Sequence, residues 1–281
     1  MANAAFLRHV AIGRYIPTDS LVHRLDPRTK LLALALLVAA AVVAADYINS
    51  VFVLFATVVV VVLARLPAGQ AVAAVRSVLP LVAILAVLQL LVGGRGATAG
   101  GTQLLSWGFI RVTSSSVQLV IVLTLRLISL VILAGLLTST TTPGALTMGV
   151  ERLLRPFGAL GLPSHEIALM GAIALRFLPI LGEQMEAIVL AQDARGVGQP
   201  AGRWRVLANA QRMAALVVPL FADVYRRAEE MAMAMLARCY RGGRGRTSLY
   251  ELRYRPADAG AFAFALLVLG GAIVLGTAGV P

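Results

Sequence analysis

The chain has 281 residues, 59% hydrophobic and 14% charged, a balance too apolar for an ordinary soluble domain. Its formal net charge of +12 comes almost wholly from arginines outside the apolar runs. With several bilayer-length apolar runs present, that charge argues for basic loops held on the cytoplasmic side of a membrane rather than for a nucleic-acid surface. The single cysteine, Cys239, excludes an intrachain disulfide framework. His9, His23 and His165 are widely separated and show no metal-ligand spacing.

Residues 1–30 are mixed and carry five Lys/Arg, so no removable signal peptide is read there. Asp26-Pro27-Arg28-Thr29-Lys30 opens the first apolar run. Asp26 suits a helix N-cap, and Pro27 suits the first turn, where a missing N–H costs nothing. Arg28 and Lys30 can reach anionic headgroups. Runs 31–45 and 48–63, parted by Asp46-Tyr47, predict a tight helical hairpin of two short spans.

Residues 65–76 are expected to form a small basic loop, and 78–92 a third span with Pro80 tolerated in its first turn. Residues 93–116, rich in Gly, Ser and Thr and containing Trp107 and Phe109, read as a loop. Residues 117–137 form a fourth span interrupted by Arg126, which belongs in a protein interior and is read as a structural hydrogen-bonding group. Residues 260–280 form an uncharged last span, in which Gly270-Gly271 suit close helix approach.

Between the last two spans lies a basic stretch with two similar helical runs. The first is expected to start with Ser164 as N-cap and Glu166 in the first turn. It bends at Pro179, passes Glu183 and Glu186, and ends at Ala194-Arg195-Gly196. The second starts near Gly202, bends at Pro219, passes Glu229 and Glu230, and ends at Ala237-Arg238-Cys239. Gly196 suits a left-handed position after a helix, and Arg195 complements the helix dipole. Met231, Met235 and Arg238 fall on one face, and Ile188, Gln192 and Arg195 repeat that spacing. Ala187, Ala191 and Ala194, with Ala234 and Ala237, form stripes that would let helices cross at short range. Asp223, Arg226, Arg227 and Glu230 are spaced for ion pairs on a solvated face. Residues 167–181 are apolar but interrupted by Arg176 and Pro179, so they are read as lying on the membrane surface or on other helices.

With five spans and the N-terminus inside, 22 of the 25 Lys/Arg fall on one side, which predicts that the arginine tips are cytoplasmic. No nucleotide-binding loop matches G-x-x-x-x-G-K-[ST]; residues 242–247 lack its spacing and its lysine. Any hydrolysis of nucleotide therefore belongs to another subunit. The fold expected is all-α: a polytopic membrane protein of about five spans plus long cytoplasmic helices. Its divisions are 1–30 (cytoplasmic segment), 31–138 (four-helix membrane region), 139–258 (cytoplasmic helices) and 259–281 (last span).

Three pieces together resemble the transmembrane T component of energy-coupling factor transporters. They are Tyr15-Ile16-Pro17 followed by Leu25-Asp26-Pro27-Arg28-Thr29-Lys30, then Ala174-Leu175-Arg176-Phe177-Leu178-Pro179, and the two tips. The resemblance runs from about Tyr15 to Glu251. It implies a non-catalytic multi-pass scaffold in a prokaryotic cytoplasmic membrane. Such a scaffold joins two ABC-type ATPases, which carry ATP and magnesium, to a membrane-embedded substrate-binding S component for vitamin or transition-metal uptake. It implies that Ala194, Arg195 and Gly196, and Ala237, Arg238 and Cys239, end coupling helices that dock in the ATPases, with Cys239 replacing the family glycine and Gly242 available to supply the turn. No catalytic residue, cofactor, metal ligand or nucleic-acid partner is expected on this chain. An intramembrane enzyme would need convergent reactive groups, and the spans offer only Arg126, Gln89, Ser129 and Thr124. The remaining alternative is a stand-alone carrier or channel, whose usual internal repeats and paired ionisable groups are not evident.

Overall fold

A computed structural model describes residues 20–92, 103–107, 110–154, 156, 163–196, 206–242 and 254–277. The protein is an all-α membrane protein. Among the described residues its helices are α1 (Pro27–Val43), α2 (Tyr47–Leu63), α3 (Ala68–Val92), α4 (Ser114–Thr140), α5 (Pro143–Leu154), α6 (Ser164–Ala194), α7 (Val206–Ala237) and α8 (Pro256–Thr277). A two-stranded hairpin, β1 (Gln103–Trp107) with β2 (Ile110–Thr113), precedes α4. The chain divides into two compact units. One comprises Gly13–Gly149 and Glu251–Pro281, the other Met1–Ile12 and Val150–Tyr250.

The first unit is a helical bundle whose centre is built from small side chains. Ala40 and Ala41 of α1, with its C-cap Ala44, pack in one buried cluster with Val53 and Ala56 of α2, Leu133 of α4, and Ala265, Val268 and Ala272 of α8. Helices that meet through alanine approach closely, and close approach is what holds helices together where lipid removes the hydrophobic drive. Gly271 extends this: a Cβ there would lie 3.2 Å from two ring carbons of Phe52 on α2, whereas one at Gly270 would meet nothing. Of the expected glycine pair, only Gly271 marks a tight crossing.

Several polar groups in this bundle have specific partners. Asn49, buried on α2, donates from Nδ2 to the Ala272 carbonyl at 2.7 Å, tying α2 to α8. Arg126 on α4 donates from Nη2 to the Ala44 carbonyl at the C-terminal end of α1, where carbonyls lack helical partners and a cation is favoured. Thr57, Thr124 and Ser129 bond back to the carbonyls four residues earlier, at Val53, Val120 and Leu125, so their hydroxyls are satisfied within their own helices.

Three local expectations are corrected. Residues 68–76 of the expected basic loop 65–76 belong to α3; their alanine-rich run propagates helix without an apolar stripe. Pro80 consequently sits inside α3 rather than in its first turn. The stretch 93–116, expected as a loop, contains the hairpin, with Trp107 paired to Ile110 and Ser106 to Arg111. Leu, Trp, Ile and Val at these positions suit a pleated strand, and that β propensity outweighs the surrounding glycines.

In the second unit α6 and α7 are continuous helices of 31 and 32 residues, with Pro179 and Pro219 inside them. The N-cap of α6 is Pro163, without a side-chain cap bond, and Ser164 is already helical; Glu166 lies in the first turn as expected. His165 Nδ1 lies 3.0 Å from Glu151 Oε1, linking the start of α6 to the end of α5. By length and apolarity Ser114–Thr140, His165–Ala194 and Pro256–Thr277 are each long enough to cross a bilayer, with Tyr47–Leu63 and Val75–Gln89 as shorter apolar helices. The α6 stretch thus meets the length criterion, although it also carries Arg176, Glu183, Glu186 and Asp193.

Candidate functional site

The two arginine tips share one backbone device. At the end of α6, Arg195 is the C-cap residue and its N–H bonds to the carbonyls of Ala191 (3.2 Å) and Gln192 (3.1 Å). Gly196 follows with φ +81° and donates to the Asp193 carbonyl at 3.0 Å. At the end of α7, Arg238 bonds to the carbonyls of Ala234 and Met235, both at 3.2 Å. Cys239 follows with φ +57° and donates to Leu236 at 2.9 Å, and Tyr240 donates to Met235 at 3.0 Å. These last two bonds are the paired closure of a Schellman cap. Cys239 itself occupies the left-handed position that glycine takes after Arg195. Gly242 is also left-handed, at φ +88°, but it lies beyond the cap and does not replace Cys239 in it. Arg195 and Arg238 are both exposed.

The helices run antiparallel, because Gln184 pairs with Asp223 and Gln192 with Ala215. The second contact explains one proline. Pro219 has no N–H, so the Ala215 carbonyl four residues earlier loses its helical donor; Gln192 Nε2 donates to that carbonyl from α6 at 3.4 Å. Asp223 is the other node. It accepts from Gln184 and from Arg226 at 2.6 Å, and lies 3.5 Å from Arg227 Nε. Sequence spacing found the ion pairs but gave Asp223 only a solvated face; its bond to α6 has no local signal. In this antiparallel pairing the arginine tips lie at opposite ends of the unit. At 1.5 Å per residue, the helix from Ala215 to Arg238 and from Gln192 to Arg195 puts them roughly 40 Å apart.

Met231, Met235 and Arg238 line one cleft of about 950 Å³, as their shared face predicts, together with Leu169, Ile173, Arg176 and Phe177 of α6. Methionine suits a surface that must fit an irregular apolar partner. The alanine stripes do not lie at the crossing: Ala187, Ala191, Ala194, Ala234 and Ala237 are exposed, because the facing side of α6 carries Gln184 and Gln192 instead.

Residues 26–30 lie in the other unit. Asp26 Oδ1 accepts from the Arg28 N–H at 2.9 Å, and Pro27 is in the first turn of α1. Asp258, 1% exposed, accepts from the Asp26 N–H at 2.8 Å and from the Arg255 N–H at 2.7 Å. Lys30 donates from Nζ to the carbonyls of His23 (3.0 Å) and Thr140 (2.9 Å). It precedes the apolar run, and burial lowers its ammonium to about 8 against the opposing pull of Asp258 and Asp26. Arg28 lies over the Tyr254 ring, 5.8 Å from its centroid, and Thr29 is buried. Asp258, Thr140 and Tyr254 are partners that sequence reading did not find. Among the described residues no group of three His, Cys, Asp or Glu side chains could hold a metal ion.

The family model described as cobalt transport protein (CbiQ) matches residues 18–249. The chain is 41% identical to the energy-coupling factor transporter transmembrane protein EcfT of Acidaminococcus fermentans, over 94% of this chain and 96% of that one. It is 39% identical to the proteins of the same name from Brevibacillus brevis, over 90% and 92%, and Bacillus subtilis, over 88% and 91%.

Proposed function

Because the chain belongs to the CbiQ family and is a transmembrane component of energy-coupling factor transporters, we propose that it is the coupling scaffold of an ATP-driven importer. In this reading Arg195 and Arg238, with Ala194, Gly196, Ala237 and Cys239, dock in two ABC-type ATPases that bind ATP and magnesium. The membrane is the prokaryotic cytoplasmic membrane, with the N-terminus and both tips inside. Closure of the ATPase pair moves the docked tips relative to each other. Helices bent at Pro179 and Pro219 carry that movement to a membrane-embedded S component, which releases a micronutrient such as a vitamin or a transition metal.

The observation that carries the reading is the matched pair of arginine-bearing caps. A helix stopped by a left-handed residue presents its last side chains at a fixed end, and a guanidinium there can hold a carboxylate by two parallel hydrogen bonds. Two such ends at opposite extremes of one antiparallel pair suit a part that is pulled at two points.

Charge reversal tests it. Arg195→Glu and Arg238→Glu place a carboxylate against the partner's carboxylate, and loss of an arginine anchor at an interface costs about 2 kcal/mol or more, roughly thirtyfold in affinity. Each variant should insert at wild-type level, lose ATPase co-purification and lose uptake. Normal co-purification and normal uptake in both would overturn the reading.

A further inference from the structure

The motif of residues 26–30 does more in this structure than start a helix. The chain leaves the bundle unit after Gly149 and re-enters it at Glu251. Four of the five motif residues touch the segments beside those two crossings. Lys30 bonds to the carbonyl of Thr140, the last residue of α4, across 110 positions of sequence. Pro27 packs on Gly149, where a Cβ would come within 3.1 Å of the Pro27 Cβ and 3.2 Å of Leu31 Cδ1. Arg28 stacks over Tyr254 on the returning segment. Asp26 donates its N–H to Asp258, across 232 positions, and the same carboxylate holds Arg255. All of these contacts lie within the one unit.

We propose that Asp26, Pro27, Arg28 and Lys30 form a fixed clamp on the outgoing and returning chain segments, so that movement of the coupling helices reaches the bundle instead of being absorbed in its connections. The proposal rests on the coupling reading above and adds positioning residues to it. A connection can deliver force only if it is stiffer than the body it moves. Charge-assisted hydrogen bonds in a buried setting are short and directional, and here they close on backbone atoms, which cannot swing away as side chains do. The tight contact at Gly149 serves the same end, since even a methyl there would lie 3.1 Å from the Pro27 Cβ and 3.2 Å from Leu31 Cδ1. A network that only stabilised the bundle would have no reason to concentrate on the two places where the chain departs and returns. Apart from local bonds to His23 and Arg28, the polar contacts of Asp26 and Lys30 described above are made there.

The test uses the whole complex, with its ATPases and S component, in proteoliposomes. Uptake and ATP hydrolysis are measured together. Lys30→Met and Asp258→Ala should keep the ATPases bound at wild-type level and hydrolyse ATP, yet move at least tenfold fewer solute molecules per ATP. Pro27→Cys with Gly149→Cys then supplies a covalent clamp, since the two Cβ positions are close to disulfide range. In the Lys30→Met background, oxidation should restore the transport ratio at least fivefold and reduction should remove it, with each single-cysteine variant as control. A wild-type transport ratio in Lys30→Met would overturn the proposal. So would abolition of uptake by the oxidised cross-link in the otherwise unaltered chain, because the segments would then have to separate during the cycle. That second measurement stands even if the Lys30 variant fails to assemble. ATPase binding should be unaffected in the clamp variants but lost in the tip variants, so failure of the clamp and failure of the coupling reading give different results.

Discussion

Cys239 offers a quantitative check on the tips. It holds φ +57° at the left-handed position closing α7, and a non-glycine residue there costs about 1–2 kcal/mol of steric strain. Cys239→Gly removes that strain but gives back about 0.4–1 kcal/mol through the greater freedom of glycine in the unfolded chain. At the middle of these ranges the net gain is about 0.8 kcal/mol, roughly fourfold in the equilibrium for opening the cap. Cys239→Val moves the other way, because a β-branched residue is a true outlier at positive φ. The Tyr240 N–H, bonded to the Met235 carbonyl, reports the cap directly by hydrogen exchange. Its exchange should slow about fourfold in Cys239→Gly and speed several-fold in Cys239→Val, with ATPase docking retained in the glycine variant. Equal exchange in both variants would refute the left-handed cap and with it the equivalence of the two tips.

Other consequences follow from single contacts. Gly271→Ala should destabilise the bundle by about 1–3 kcal/mol through overpacking against Phe52, whereas Gly270→Ala should be neutral; thermal unfolding in detergent separates them. Asp223→Ala and Gln184→Ala should be non-additive, with a coupling of about 0.5–1 kcal/mol in a double-mutant cycle, since one bond joins them. Asn49→Leu should cost about 0.5–1.5 kcal/mol, the net worth of one hydrogen bond, because it removes the bond from α2 to the Ala272 carbonyl of α8, and the loss should appear as faster exchange along α8.

How much of this was legible depends on whether the signal was local. Gly196 after Arg195 and Asp26 before Pro27 announce a helix end and a helix start within a few residues, and both lie where the pattern puts them. The apolar helices of the bundle were legible from the length of their apolar runs, although α3 starts ten residues before the run at 78, because alanine forms helix without being conspicuously apolar. The hairpin was missed because glycine and serine dominated the stretch around a few strand-forming residues. The partners of the motif were not legible at all. Asp258 appears in sequence as one more acid before an apolar run, and nothing nearby shows that it meets Asp26. Asp223 is similar: its spacing to Arg226 and Arg227 is visible, but its bond to Gln184 comes from the antiparallel register of two long helices.

The central claim, that this chain carries movement between its partners, is tested most directly by the distance between the tips. Spin labels beside Arg195 and Arg238 in the reconstituted complex, read by pulsed electron paramagnetic resonance with and without ATP and magnesium, give that distance during the cycle. The account predicts a shift of several ångström on nucleotide binding, absent when either arginine is reversed to glutamate. An unchanged distance distribution in a complex that is actively importing solute would contradict it.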